Sequence, residues 1–76
     1  MLSIMINEQK SDRFKRLAKQ RGERILRDIR LVGNLSNTNN YDYSDAEIRL
    51  LFSTIEEELR IAKSRFRSNR KTEIKF

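Results

Sequence analysis

The sequence predicts an all-α fold, an antiparallel helical hairpin with helices at about 8–32 and about 45–68 that dimerises into a four-helix bundle. Two stretches carry apolar residues at helical spacing, one polar run separates them, and no proline occurs anywhere in the 76 residues. A chain of this length makes one small domain whose core is too thin to stand easily alone. It has neither Cys nor His, so disulfides and the commonest metal ligands are missing as staples. Association with a second chain is the remaining route.

The first helix is expected to start at Ser11, whose hydroxyl can cap with Asp12 in the first turn, or a turn earlier near Asn7. Phe14, Leu17, Ala18, Ile25, Leu26, Ile29 and Val32 recur on one face. Gly22 falls on that stripe, where with Ala18 it would make room for a bulky side chain of a facing helix. Gly33 is expected to stop the helix in the left-handed conformation, with Leu35 sealing the cap.

The connection, "RLVGNLSNTNNYDYSD", is rich in amides and carries two tyrosines. Its edges read as helix ends. Its middle is longer than two bundle helices require, and Asn37, Asn39, Asn40, Tyr41 and Tyr43 are assigned either to closing the loop or to meeting a partner.

The second helix is the more regular. Ile48, Phe52, Ile55, Leu59, Ala62 and Phe66 alternate in steps of four and three, the seam of a helix lying along another, and Leu51 widens it. Ser44 and Glu47 have the spacing of a capping box, and Asp45 suits the positive end of the helix dipole. Folded back, the two stripes register: Val32 meets Ile48, Ile29 meets Phe52, Ile25 meets Ile55, Gly22 meets Leu59 and Phe14 meets Phe66. Leu17, Leu26, Leu31, Leu51 and Ile61 stay uncovered, which is the argument for a homodimer. Residues 10–68 form the hairpin domain, 1–9 an N-terminal arm and 69–76 a basic tail.

Charge is unevenly placed. Seventeen Lys and Arg face eleven Asp and Glu, a net charge of +6, and Arg outnumbers Lys. Residues 10–24 carry a net +5, residues 60–71 carry six cations and no anion, and residues 25–59 carry a net −4. Folding back would gather the two basic segments into one pole. Guanidinium groups suit phosphate, so nucleic acid, DNA or RNA, is the expected partner, held by Lys15, Arg16, Lys19, Arg65, Arg67, Arg70 and Lys71. Phe66, between Arg65 and Arg67, is assigned to the seam rather than to stacking on a base. A larger protein partner is the alternative, the chain then acting as a small regulator, inhibitor or accessory subunit.

Enzymatic chemistry is not expected. General acid–base catalysis most often uses His, nucleophilic sites commonly pair Cys or Ser with His, and no glycine-rich phosphate cradle is present. No catalytic residue, cofactor, metal or small-molecule substrate is assigned. Asp45 and Glu47 are better explained as caps than as cation ligands. No apolar run reaches the length of a membrane span, and the absence of Cys fits a reducing, cytoplasmic setting.

The stretches "RFKRLAKQR", "IRLVGNLSNTNNYDY" and "FSTIEEELRIAKSRF" resemble a family of short, uncharacterised bacterial proteins found on chromosomes and mobile elements. The resemblance covers about residues 13–66 and rests mainly on the GNLSNxxNYxY motif; it implies no particular activity. In architecture the expected hairpin is also similar to the plasmid RNA-binding modulator Rop, with no motif in common and therefore no residue carried over.

Overall fold

The computed structural model describes residues 8–69. Among them are two helices and no strand: α1, Lys10–Asn34, and α2, Asp45–Asn69. The chain divides into two units, residues 1–41 and 42–76, with one helix in each. The expected all-α class stands. Helix α1 is displaced about two residues toward the C-terminus from its expected span, whereas α2 starts at the residue expected. The N-terminal arm through residue 7 and the tail from residue 70 lie outside the described residues.

Neither end of α1 is built as the sequence suggests. Ser11 is not its cap: the helix begins one residue earlier, and Gln9 occupies the N-cap in an extended conformation with no side-chain cap bond. The Gln9 carbonyl accepts the first turn's bond from the Arg13 amide at 2.9 Å. The entry is instead tied by Glu8, whose carboxylate takes both ends of the Arg16 guanidinium at 2.9 and 3.0 Å and lies 3.7 Å from Arg13. An ion pair reaching over the first turns thus stands where a hydroxyl cap was expected.

At the other end Gly33 is not a left-handed stop. No glycine among the described residues has positive φ, and the helix runs through Gly33 to Asn34. The last carbonyls are satisfied by tightening: the amides of Leu35, Ser36 and Asn37 donate to the carbonyls of Val32, Gly33 and Asn34, each three residues back. Bonds of this kind keep the backbone right-handed, so no glycine conformation is required. Leu35 serves as the right-handed C-cap, and its side chain is exposed.

Helix α2 begins as the sequence dictates. The Ser44 amide donates to the Glu47 carboxylate at 2.8 Å and the Glu47 amide donates to the Ser44 hydroxyl at 3.1 Å, a reciprocal capping box. Along the helix Ser53, Thr54, Ser64 and Ser68 turn their hydroxyls back onto carbonyls three or four residues earlier, which satisfies these hydroxyls within the helix itself. Ser44→Ala is expected to cost about 1 kcal/mol, read as a lower urea midpoint of the 222 nm ellipticity. An unchanged midpoint would mean that the box adds nothing.

No described residue is buried. On α1 Phe14 is 56% exposed and Ile25 57%; on α2 Leu59 is 59% and Phe66 63% exposed. A helix of 25 residues gains most of its stability from packing an amphipathic face, and on each helix that face includes exposed apolar side chains. Gly22 follows the same pattern: a Cβ placed there meets nothing within 4 Å.

Candidate functional site

The spacing of α1 sets its cations apart from its apolar stripe. At about 3.6 residues per turn, Phe14, Ala18, Ile25, Ile29 and Val32 share one side, and Arg16, Lys19, Arg27 and Arg30 fall on the opposite side. Arg16, Lys19, Gln20, Glu23, Arg24 and Arg27 line a shallow groove along this polar face. Lys15, one turn before Lys19, does not line it and flanks the apolar stripe at Ala18 and Gly22. Of the seven expected cations, the structure therefore brings Arg16 and Lys19 together in this groove, leaves Lys15 outside it, and adds Arg24 and Arg27. Their signal was present in the sequence as the four-and-three steps from Arg16 through Gln20 and Glu23 to Arg27.

On α2 the expected set separates. Arg67 joins Lys63, Arg60, Leu59 and Glu56 around a second shallow surface. Arg65, two residues from Arg67, projects from the far side of the helix, because residues two apart do not face each other. Arg70 and Lys71 lie outside the described residues. Lys63, one turn before Arg67, is the missed member of this cluster.

Two of these cations already hold a carboxylate. Arg16 is clamped by Glu8, as above. Arg60 makes the same two-pronged contact with Glu57, at 2.9 and 2.7 Å. Hydrogen bonds from Arg16 hold the Glu8 carboxyl below its ordinary value of 4.5, and the bond from Arg60 does the same for Glu57. Each pair is thus complete at neutral pH, and its contribution is lost as pH falls from about 4.5 through the lowered value. Lys15, Lys19, Lys63 and Arg67 stand in none of these ion pairs. If Glu8 restrains Arg16 from an anionic ligand, Glu8→Gln should raise affinity for that ligand about two- to fivefold, measured by fluorescence anisotropy at neutral pH; a lowered affinity would place Glu8 among the positioning groups.

The asparagines of the connection divide by role. Asn37 closes the turn: its carbonyl accepts from the amides of Asn40 and Tyr41, and its side-chain oxygen accepts from the Asn39 amide at 3.0 Å. Tyr41 is 47% and Tyr43 37% exposed. Among the described residues no group of three or more carboxylates is placed to hold a metal ion, and no helix is long and apolar enough to cross a membrane.

Set beside known proteins, the chain matches no family model, no curated protein and no solved structure.

Proposed function

We propose that this chain is a small, non-enzymatic basic protein that binds DNA or RNA by its phosphates, in a regulatory or accessory role. The observation that carries the reading is the separation of faces on α1, where Arg16, Lys19, Arg24 and Arg27 line a groove away from the apolar stripe and Lys15 flanks that stripe. A stripe that is spent on packing leaves such cations outward and available to a polyanion. In this reading α2 folds back along α1 with Ile25 beside Ile55 and Gly22 beside Leu59, and two hairpins associate into a four-helix bundle. Fold-back brings Lys63 and Arg67 toward the basic half of α1. The contacts are to the backbone of the nucleic acid, so sequence preference is weak.

Copurification from the native host with and without nuclease tests the reading. Nucleic acid that accompanies the protein, and is lost on nuclease treatment or in high salt, agrees with it. Protein free of nucleic acid from the outset at low salt refutes it.

A second reading is favoured by one observation. Leu50, 68% exposed, and Ile61, 39% exposed, lie on the side of α2 away from its stripe, and Tyr41 and Tyr43 are exposed in the connection that precedes this helix. Such residues suit a larger protein partner. A pull-down with the Tyr41→Ala, Tyr43→Ala double variant separates the two: a lost protein partner with intact nucleic-acid binding selects the second reading.

A further inference from the structure

Each helix carries its own charge gradient. In α1 residues 10–24 hold seven cations against Asp12 and Glu23, whereas residues 25–34 hold only Arg27 and Arg30 against Asp28. In α2 the order is reversed in sign: residues 45–58 hold five carboxylates against Arg49, and residues 59–69 hold Arg60, Lys63, Arg65 and Arg67 with no anion. The natural electrostatic partner for the first half of α1 is therefore the first half of an α2, which requires the two helices to run parallel.

One chain cannot supply that pairing to itself. Helix α1 is about 37 Å long at roughly 1.5 Å per residue, and the connection of residues 35–44 would span at most about 35 Å if fully extended. It is not extended, since Asn37 winds it back on itself through the amides of Asn39, Asn40 and Tyr41. Fold-back within one chain instead sets the basic half of α1 beside the basic half of α2. The uncompensated charge and the uncovered apolar residues then call for the same remedy.

We infer that a second copy of this chain covers the apolar faces in head-to-tail orientation, so that residues 10–24 of one copy lie beside residues 45–58 of the other. The arrangement is isologous: each copy gives its basic end and receives the other's acidic end, and a twofold axis across the helices closes the pair. Flanking residues match this geometry, with Arg21 bordering the α1 stripe and Glu47, Glu56 and Glu58 bordering the α2 stripe. A head-to-head pair would instead stack two basic poles, at a cost that salt alone could relieve. The outward face with Arg16, Lys19 and Arg27 stays exposed, so the dimer presents two basic regions toward opposite ends. The inference rests on the fold-back reading above and not on nucleic-acid binding.

The absence of cysteine from the chain makes single spin labels unambiguous. With Asn39→Cys, or Thr38→Cys as a second bend position, labelled protein without nucleic acid is measured by double electron–electron resonance. Head-to-tail association predicts an inter-copy bend-to-bend distance on the order of one helix length, about 37 Å. A bend-to-bend distance of one or two helix diameters, ~10–20 Å, overturns the inference in favour of head-to-head pairing, and the absence of any inter-copy distance overturns it in favour of a monomer. Fold-back is checked apart, with Ser11→Cys and Ser68→Cys in one chain diluted into unlabelled protein. A short distance there with a short bend-to-bend distance refutes the orientation alone, whereas a long distance refutes fold-back itself.

Discussion

The double variant Lys15→Glu, Lys19→Glu is expected to bind duplex or single-stranded nucleic acid about 10²-fold more weakly than the native chain at about 50 mM salt. Each phosphate contact contributes about 0.9 to the logarithmic salt slope, so two lost contacts correspond to roughly two decades at this concentration. The slope itself should fall by about 1.8. The two lysines are one turn apart, Lys19 lining the α1 groove and Lys15 flanking the apolar stripe, and neither stands in an ion pair with Glu8 or Glu57. Replacing them should leave helicity unchanged, which circular dichroism verifies. Arg65→Glu is the comparison, because Arg65 projects away from the Lys63 and Arg67 surface and should cost clearly less.

The second large effect is on folding. Ile55 lies mid-stripe on α2, between Phe52 and Leu59, and is half-exposed in the chain described. If the stripe packs against α1 and a second copy, Ile55→Asp forfeits the ~1.5–3 kcal/mol of a buried apolar side chain. It also places a carboxylate in an apolar seam, beside a run of three glutamates. For a small domain with only a few kcal/mol to spare, the sum is expected to abolish association and remove most of the 222 nm ellipticity at micromolar concentration. Thr54→Asp is the control: Thr54 faces away from the stripe, and only its hydroxyl bond to the Leu50 carbonyl is lost. Equal helicity of native chain and Ile55→Asp would show that the stripe packs against nothing.

The two helices differ in how far they were legible. For α2 the seam from Ile48 to Phe66 and the Ser44–Glu47 box are local patterns with a single structural solution, and the helix starts where they place it. For α1 the ends depend on choices that residue type does not determine. Gln9 caps with its backbone alone, Glu8 supplies the tie from outside the helix, and Gly33 continues a right-handed turn although glycine could have ended it. The candidate site shows the same division. Charge counting found the basic segment of α1 but began at Lys10 and so omitted Glu8, the residue that clamps Arg16. It also grouped Arg65 with Arg67 by proximity in sequence, whereas helical spacing pairs Arg67 with Lys63. Arg24 and Arg27 were recoverable by the same spacing from Arg16.

The connection proved simpler than its composition suggests. Asn37 accepts from the amides of Asn39, Asn40 and Tyr41, so one asparagine of the amide-rich run organises its turn. Tyr41 and Tyr43 remain the residues whose exposure points outward, toward the protein-partner reading.

The central claim is that phosphates are the ligand of the basic faces. Fluorescence anisotropy of a labelled oligonucleotide, titrated with native protein from about 50 to about 200 mM monovalent salt, tests it most directly. Four to five phosphate contacts predict a log–log slope near about −4 and a loss of about 10²- to 10³-fold in affinity over that range. No binding at the lower salt concentration, or binding whose strength does not change with salt, contradicts it.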